Sequence, residues 1–145
     1  MILGHGIDIA DLGRVRILLT KMEEDFLHST FTAVERETEI FPEDRVPFFA
    51  GRLAAKEAVA KALGTGFTGD IAMRQVEIAR LPDGSPEVRL HDAAKKVAES
   101  LGVHRWLVSI SHTETVAVAS AIAEGMNTGF WSDKWNAPQK VVHVL

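Results

Sequence analysis

The chain has no cysteine among its 145 residues, which excludes disulfides, thiolate metal sites and a cysteine nucleophile. It also lacks any run of about 18 apolar residues, the length that a membrane-spanning helix needs. Met1 leads into ILGHGIDIA with neither a basic segment nor a long apolar stretch, so the expected compartment is the cytoplasm, with no membrane partner. An excess of positive charge is missing as well: 16 Lys and Arg stand against 20 Asp and Glu, for a formal net charge of −4. Global attraction to nucleic acid is therefore not expected, and an acidic partner has to be met by a local basic patch. No internal repeat, P-loop, Rossmann fingerprint, zinc spacing or G-x-S-x-G nucleophile elbow is present.

What is present fits one ordinary domain. With 46% hydrophobic residues, a chain of this length buries roughly 68–70% of its unfolded surface and needs no covalent staples. The stretch around which the rest is organised is 48–66, FFAGRLAAKEAVAKALGTG. Its alanines and phenylalanines predict a helix that Gly64 ends. At about 100° per residue, Glu57 and Lys61 share one face, with Ala50 and Ala54 earlier on it. Two readings fit. Small residues beside a carboxylate and an ammonium imply that a strand or ligand packs close and meets these charges. Equally, an i, i+4 Glu/Lys pair is an ordinary surface feature worth about 0.2–0.5 kcal/mol, and a lysine near a helix C-terminus is favoured by the macrodipole.

Along the chain, residues 2–10 alternate as a strand, with Ile7 and Ile9 on one face and Asp8 on the other, away from the apolar side. Gly4 and Gly6 permit close backbone approach on the side of Asp8. An aspartate within a strand is disfavoured by propensity; it marks either a site or a strand end bonded to a loop. Asp11 fits as N-cap of a helix over about 12–23, with Asp8 or Ala10 as alternative boundaries and Leu12, Val15, Leu18, Leu19 and Met22 as its apolar stripe. On the other side of that helix Arg14 and Lys21 lie within about 20° of each other, with Ile17 beside them. This surface suits an acidic amphipathic helix, or is a solvated basic face with one stray isoleucine.

Glu35, Arg36, Glu37 and Glu39 suggest a short solvated helix after Thr32, with Pro42 and Pro47 punctuating the connection that follows. Strands are expected over 75–81 and 87–90, joined by the turn PDGSP, then a helix over 92–101 with Ala93, Ala94, Val97 and Leu101 inward and Gly102 as its stop. A second hairpin follows, 105–111 with 115–123. Ser109 and Ser111 share one strand face, and His112 and Thr113 follow at the strand end, a grouping suited to phosphate oxygens but also common at turns for conformational reasons. From Gly125 onward composition changes: Trp131, Trp135, Pro138 and the apolar VVHVL form a C-terminal extension, either appended as an edge strand at 141–145 or loosely ordered.

In order and spacing, GIDIADLGRV, FAGRLAAKEAVAKALGTG and VSISHTETVAVASAI together resemble the holo-acyl-carrier-protein synthases, the small bacterial class of 4′-phosphopantetheinyl transferases. The resemblance covers about residues 2–124 and includes PDGSP, similar to that family's Gly-x-Pro turn. It implies an α+β fold, an antiparallel sheet packed on a long central helix, over residues 1–124, with 125–145 as an extension of unknown role.

For individual residues it implies that Asp8 and Glu57 hold Mg²⁺ and that Lys61 contacts the phosphates of coenzyme A. Ser109, Ser111, His112 and Thr113 would line the coenzyme A site, with Gly84 and Pro86 near its adenine. Arg14, with Ile17 and Lys21 on the same face, would dock the acidic acyl carrier protein. The implied reaction, catalysed with Asp8, Glu57 and Lys61, moves 4′-phosphopantetheine from coenzyme A to a carrier-protein serine, releasing 3′,5′-ADP, for fatty acid biosynthesis. A homotrimer with sites between subunits is implied too.

The sequence departs from the family at Leu53, where an aromatic is common, and in the extension. Two other classes stay open: a Mg²⁺-dependent coenzyme A hydrolase, which has no use for the Arg14/Ile17/Lys21 surface, and a binding module without chemistry, which has no use for the carboxylate pair.

Overall fold

Two glycines set how closely the main layers approach. The computed structural model describes residues 1–126. Strand β1 (Ile2–Asp11) leads to helices α1 (Leu12–Lys21), α2 (Glu23–Thr30) and α3 (Ala33–Arg36), then the central helix α4 (Arg45–Leu63). The hairpin β2 (Val76–Arg80) and β3 (Pro86–Leu90), helix α5 (Asp92–Leu101), and strands β4 (Val103–His112) and β5 (Val116–Gly125) complete it. This is the α+β arrangement expected. β1, β5 and β4 form an antiparallel sheet in that order, with β5 in the middle, and α4 lies across it.

Helix and sheet meet through the smallest side chains available. Along β5 every second residue, Ala117, Ala119, Ala121 and Ala123, is buried. α4 answers with Ala50, Ala54 and Ala58, all fully buried. On β1 even alanine is too large: a Cβ on Gly4 or Gly6 would collide with the backbone carbonyl of Ala62 or Ala58. Asp8 follows on this same helix-facing side of β1, at the edge of the contact. The opposite sheet face, with Ile7 55%, Ile9 64% and Leu107 43% exposed, is not covered by any other element among the described residues. The isoleucine side of β1 is thus the outer side, and Asp8 is the residue turned toward the helix.

Asp11 caps α1 as expected, accepting a hydrogen bond from the Arg14 amide at 3.0 Å. The helix expected over 12–23 stops at Lys21, because Met22 leaves helical geometry (φ −136°, ψ 36°) and three acidic residues, Glu23, Glu24 and Asp25, open a new helix at the end that favours negative charge. Pro47 does not precede α4 but sits in its first turn, where its missing N–H has no intrahelical partner to lose. Leu101, expected inward, is 42% exposed, and Ala98 takes the buried place on α5. The edge strand expected at 141–145 lies outside the described residues.

The largest correction concerns Glu35. α3 carries the capping box of Thr32 and Glu35, but Glu35 is fully buried rather than solvated. Its carboxylate accepts from the Thr32 amide at 2.8 Å, the Ile78 amide at 3.0 Å and the Lys56 ammonium at 2.7 Å. Lys56, also fully buried, donates in addition to the carbonyls of Met73 and Val76. Desolvation pushes the Lys56 pKa down and Glu35 pulls it back. Nearby, buried Glu77 accepts the Thr32 hydroxyl at 2.6 Å. These bonds tie α3, α4 and β2 together, over a cluster of Phe26, Phe31 and Phe49 whose rings meet edge-on or tilted.

Two substitutions test this account in urea denaturation. Gly6→Ala is expected to destabilise by about 1–3 kcal/mol or more, because its obstacle is backbone rather than a movable side chain. Lys56→Met is expected to cost about 3–5 kcal/mol by leaving the Glu35 carboxylate buried without its counterion, with part recovered when Glu35→Gln is added.

Candidate active site

The close helix–sheet approach brings Asp8 of β1 against the C-terminal half of α4. The Lys61 ammonium donates to the Asp8 carboxylate at 2.9 Å and to the Ile7 carbonyl at 2.9 Å, so the two residues, 53 apart in sequence, form one partly buried pair. Glu57 lies one helical turn before Lys61. It has no hydrogen-bond partner among the described residues, and its pKa is raised, first by burial, then by the negative charge of Asp8, against an opposing pull from Lys61. An unpartnered carboxylate facing a second carboxylate calls for a cation. Among the described residues no third acidic or imidazole group joins the pair. Two carboxylate donors fit Mg²⁺, which keeps several waters and takes its remaining ligands from substrate phosphates.

A second constellation lies elsewhere on α4. A cleft of about 790 Å³ is lined by Phe41, Phe48, Gly51, Arg52, Arg80, Gly84, Pro86, Ile110 and His112, with Glu39 and Asp44 at its acidic side. It gathers Gly84 and Pro86 of the β2–β3 turn with His112 at the end of β4, three of the positions singled out in the sequence. It adds two cations that were not. The Arg52 guanidinium sits 4.4 Å from the Phe48 ring centroid, yet its Nε and Nη2 are buried with no hydrogen-bond partner among the described residues. Its pKa is lowered to about 10 by burial, raised in part by Glu35 and lowered further by Arg80. Two arginines with spare donors in one cleft are suited to phosphate. A legible signal existed: Arg52 has no carboxylate at i±3 or i±4, only Phe48, Phe49, Ala55 and Lys56.

The two constellations do not merge within one chain. Asp8 belongs to β1 and His112 to β4, the two edges of the three-stranded sheet, with β5 between them. Around α4, Arg52 and Glu57 point about 140° apart at about 100° per residue. Ser109 and Ser111 join neither group: they are exposed on the outer sheet face, and Ser109 stands opposite Ser120. The Thr113 hydroxyl accepts from the amides of Thr115 and Val116, both at 3.2 Å, and so shapes the β4–β5 turn. Arg14, Ile17 and Lys21 are all exposed on α1, Ile17 by 57%, and among the described residues no carboxylate pairs with either cation. Leu53 is partly buried against the core, one helical turn before Glu57.

The chain is similar to known proteins over most of its length. The sequence profile of the family ACPS, described as the 4'-phosphopantetheinyl transferase superfamily, matches residues 4–121. A holo-[acyl-carrier-protein] synthase of Natranaerobius thermophilus is 39% identical over 133 residues, 92% of this chain and 100% of that protein. The crystal structure of the Neisseria meningitidis holo-[acyl-carrier-protein] synthase superposes with a TM-score of 0.74 at 34% identity, covering 86% of this chain and 99% of that one. The Bacillus anthracis synthase in complex with CoA (3',5'-ADP) has a TM-score of 0.70 at 32% identity, over 87% and 99% of the two chains. With a profile spanning most of its length and relatives matched nearly end to end, the chain belongs to the 4'-phosphopantetheinyl transferase superfamily, among the holo-[acyl-carrier-protein] synthases.

Proposed function

We propose that the protein transfers 4′-phosphopantetheine from coenzyme A to a serine of apo acyl carrier protein, releasing 3′,5′-ADP, as a step in fatty acid biosynthesis in the cytoplasm. The observation that carries this reading is the juxtaposition of Asp8, Glu57 and Lys61, two carboxylates and an ammonium, with a separate cleft that offers unpartnered arginine donors. A pyrophosphate joined to a nucleotide needs both. No helix among the described residues is long and apolar enough to cross a membrane.

The serine oxygen attacks the β-phosphorus of coenzyme A, and the bond from that phosphorus to the bridging oxygen breaks, leaving the electron pair on 3′,5′-ADP. Asp8 and Glu57 would hold Mg²⁺, which when bound supplies positive charge against the pyrophosphate. Lys61 keeps one N–H beyond those given to Asp8 and Ile7, free to donate to a phosphate oxygen and offset the charge that gathers in the transition state. Glu57, the carboxylate not engaged by Lys61, accepts the serine proton. Arg14 and Lys21, flanking exposed Ile17, offer charge and one apolar contact to an acidic carrier protein.

The two half-sites further support assembly as a ring. A contact between the β1 edge of one copy and the β4 edge of the next is heterologous and closes by rotation; the family resemblance makes the number three. The outer sheet face, with Ile7, Ile9 and Leu107 exposed, is the apolar surface that such assembly would cover, carrying Ser109 and Ser111 with it.

Intact-mass spectrometry of apo acyl carrier protein incubated with the protein, coenzyme A and Mg²⁺ is expected to show a phosphopantetheine increment. Glu57→Ala should slow its appearance by about 10²-fold or more, and omission of the metal should abolish it; no increment across several carrier proteins would exclude the transferase reading. Mixing separately inactive Arg52→Ala and Glu57→Ala proteins after subunit exchange should restore about a quarter of wild-type activity, since a heterologous junction completes one site from an intact half of each. No recovery would place both halves of each site in one chain.

A further inference from the structure

Phe41 is 71% exposed, more than any other large hydrophobic residue of the described chain. A single exposed apolar residue is ordinary, but this ring has three unusual features. It is held in place: Pro42 follows it, restricting its backbone to the extended region it occupies (φ −67°, ψ 147°), and its carbonyl accepts from the Asp44 amide at 3.0 Å to start a 3-10 turn. Its face is free: Phe26, Phe31, Phe48 and Phe49 each meet another ring, and Phe48 also carries the Arg52 guanidinium, whereas Phe41 is in no ring or cation contact among the described residues. It also lines the cleft that holds Arg52, Arg80 and His112, rather than lying elsewhere on the surface.

An ordered, unpartnered aromatic face and buried guanidinium donors without acceptors, in one cleft, call for a ligand that is flat and apolar at one end and anionic at the other. A purine nucleotide has that chemistry, and base–aromatic stacking is available to any base because it uses the π-face. We propose that Phe41 is the stacking platform for the adenine of coenzyme A, a positioning residue that holds the nucleotide end while the pyrophosphate reacts elsewhere. This rests on the coenzyme A reading above.

The test is calorimetric titration of the full-length protein with 3′,5′-ADP and with 4′-phosphopantetheine, which has no base, using Phe41→Ala and Phe41→Trp. Phe41→Ala is expected to bind 3′,5′-ADP about 5–150-fold more weakly, bind 4′-phosphopantetheine as the wild type does, and raise KM for coenzyme A with kcat unchanged. Phe41→Trp should restore nucleotide affinity. Unchanged 3′,5′-ADP affinity in Phe41→Ala, or equal loss of both ligands, would overturn the proposal while leaving the transferase reading intact. A reduced assembly mass with unchanged nucleotide affinity would do the same, assigning the ring to a contact between copies. Wild-type protein that fails to bind 3′,5′-ADP at all would overturn both readings together.

Discussion

The separation between α4 and the sheet is the constraint on which the rest depends. Where β1 passes under the helix it carries Gly4 and Gly6, and the helix presents the backbone of Ala58 and Ala62 to them, so no side chain keeps the two elements apart. The favourable term is close dispersion contact and burial of many small side chains, spread along the alanines of α4 and β5. The consequence is chemical. Asp8, two residues beyond Gly6 on the same face, is carried against the helix, where its carboxylate is bonded to Lys61 at 2.9 Å.

A thin alanine layer buries little area per residue, and the other side of α4 supplies what it lacks. There the helix meets phenylalanines and the Lys56–Glu35 pair, in which all three Lys56 donors are taken and the Glu35 carboxylate accepts three hydrogen bonds. A buried pair of this kind contributes less to net stability than its contact distance implies, because desolvation offsets the attraction. Its value lies in specifying one arrangement: it sets α3 and β2 against α4, and with them the β2–β3 turn that forms a wall of the cleft. Arg52, one turn before Lys56, shows the contrast. It is buried beside Arg80, and among the described residues its Nε and Nη2 have no acceptor, which the proposed anionic substrate would supply.

Read together, these features give one helix two functional flanks. Toward β1 it presents Glu57 and Lys61 to Asp8; toward β4 it presents Arg52 and Phe48. In the assembly proposed above, a molecule with a pyrophosphate and a nucleotide would lie between two copies, one flank from each. Assembly and the proposed site would then share a strand: the outer face of β1, with exposed Ile7 and Ile9, is the back of the strand whose front carries Asp8.

Much of this was legible from residue order. The alanine run ending at Gly64 specifies a helix because Ala has the best propensity and Gly alone adopts its left-handed stop cheaply, here φ 77°. Asp11 as N-cap, PDGSP as a turn and the alternation of β4 follow equally from local stereochemistry. The pairing of Asp8 with Glu57 and Lys61 was accessible only through resemblance, since no local rule relates residues about 50 positions apart. Tertiary structure alone decided that Glu35, in a segment reading as solvated, is buried, because its partner Lys56 is 21 residues away. It decided too that the helix over 12–23 breaks at Met22, that Arg52 is buried, and that the isoleucines of β1 face outward. Sequence periodicity distinguishes the two faces of a strand but not which of them meets the core; that depends on the packing partner, and for β1 the partner demanded glycine.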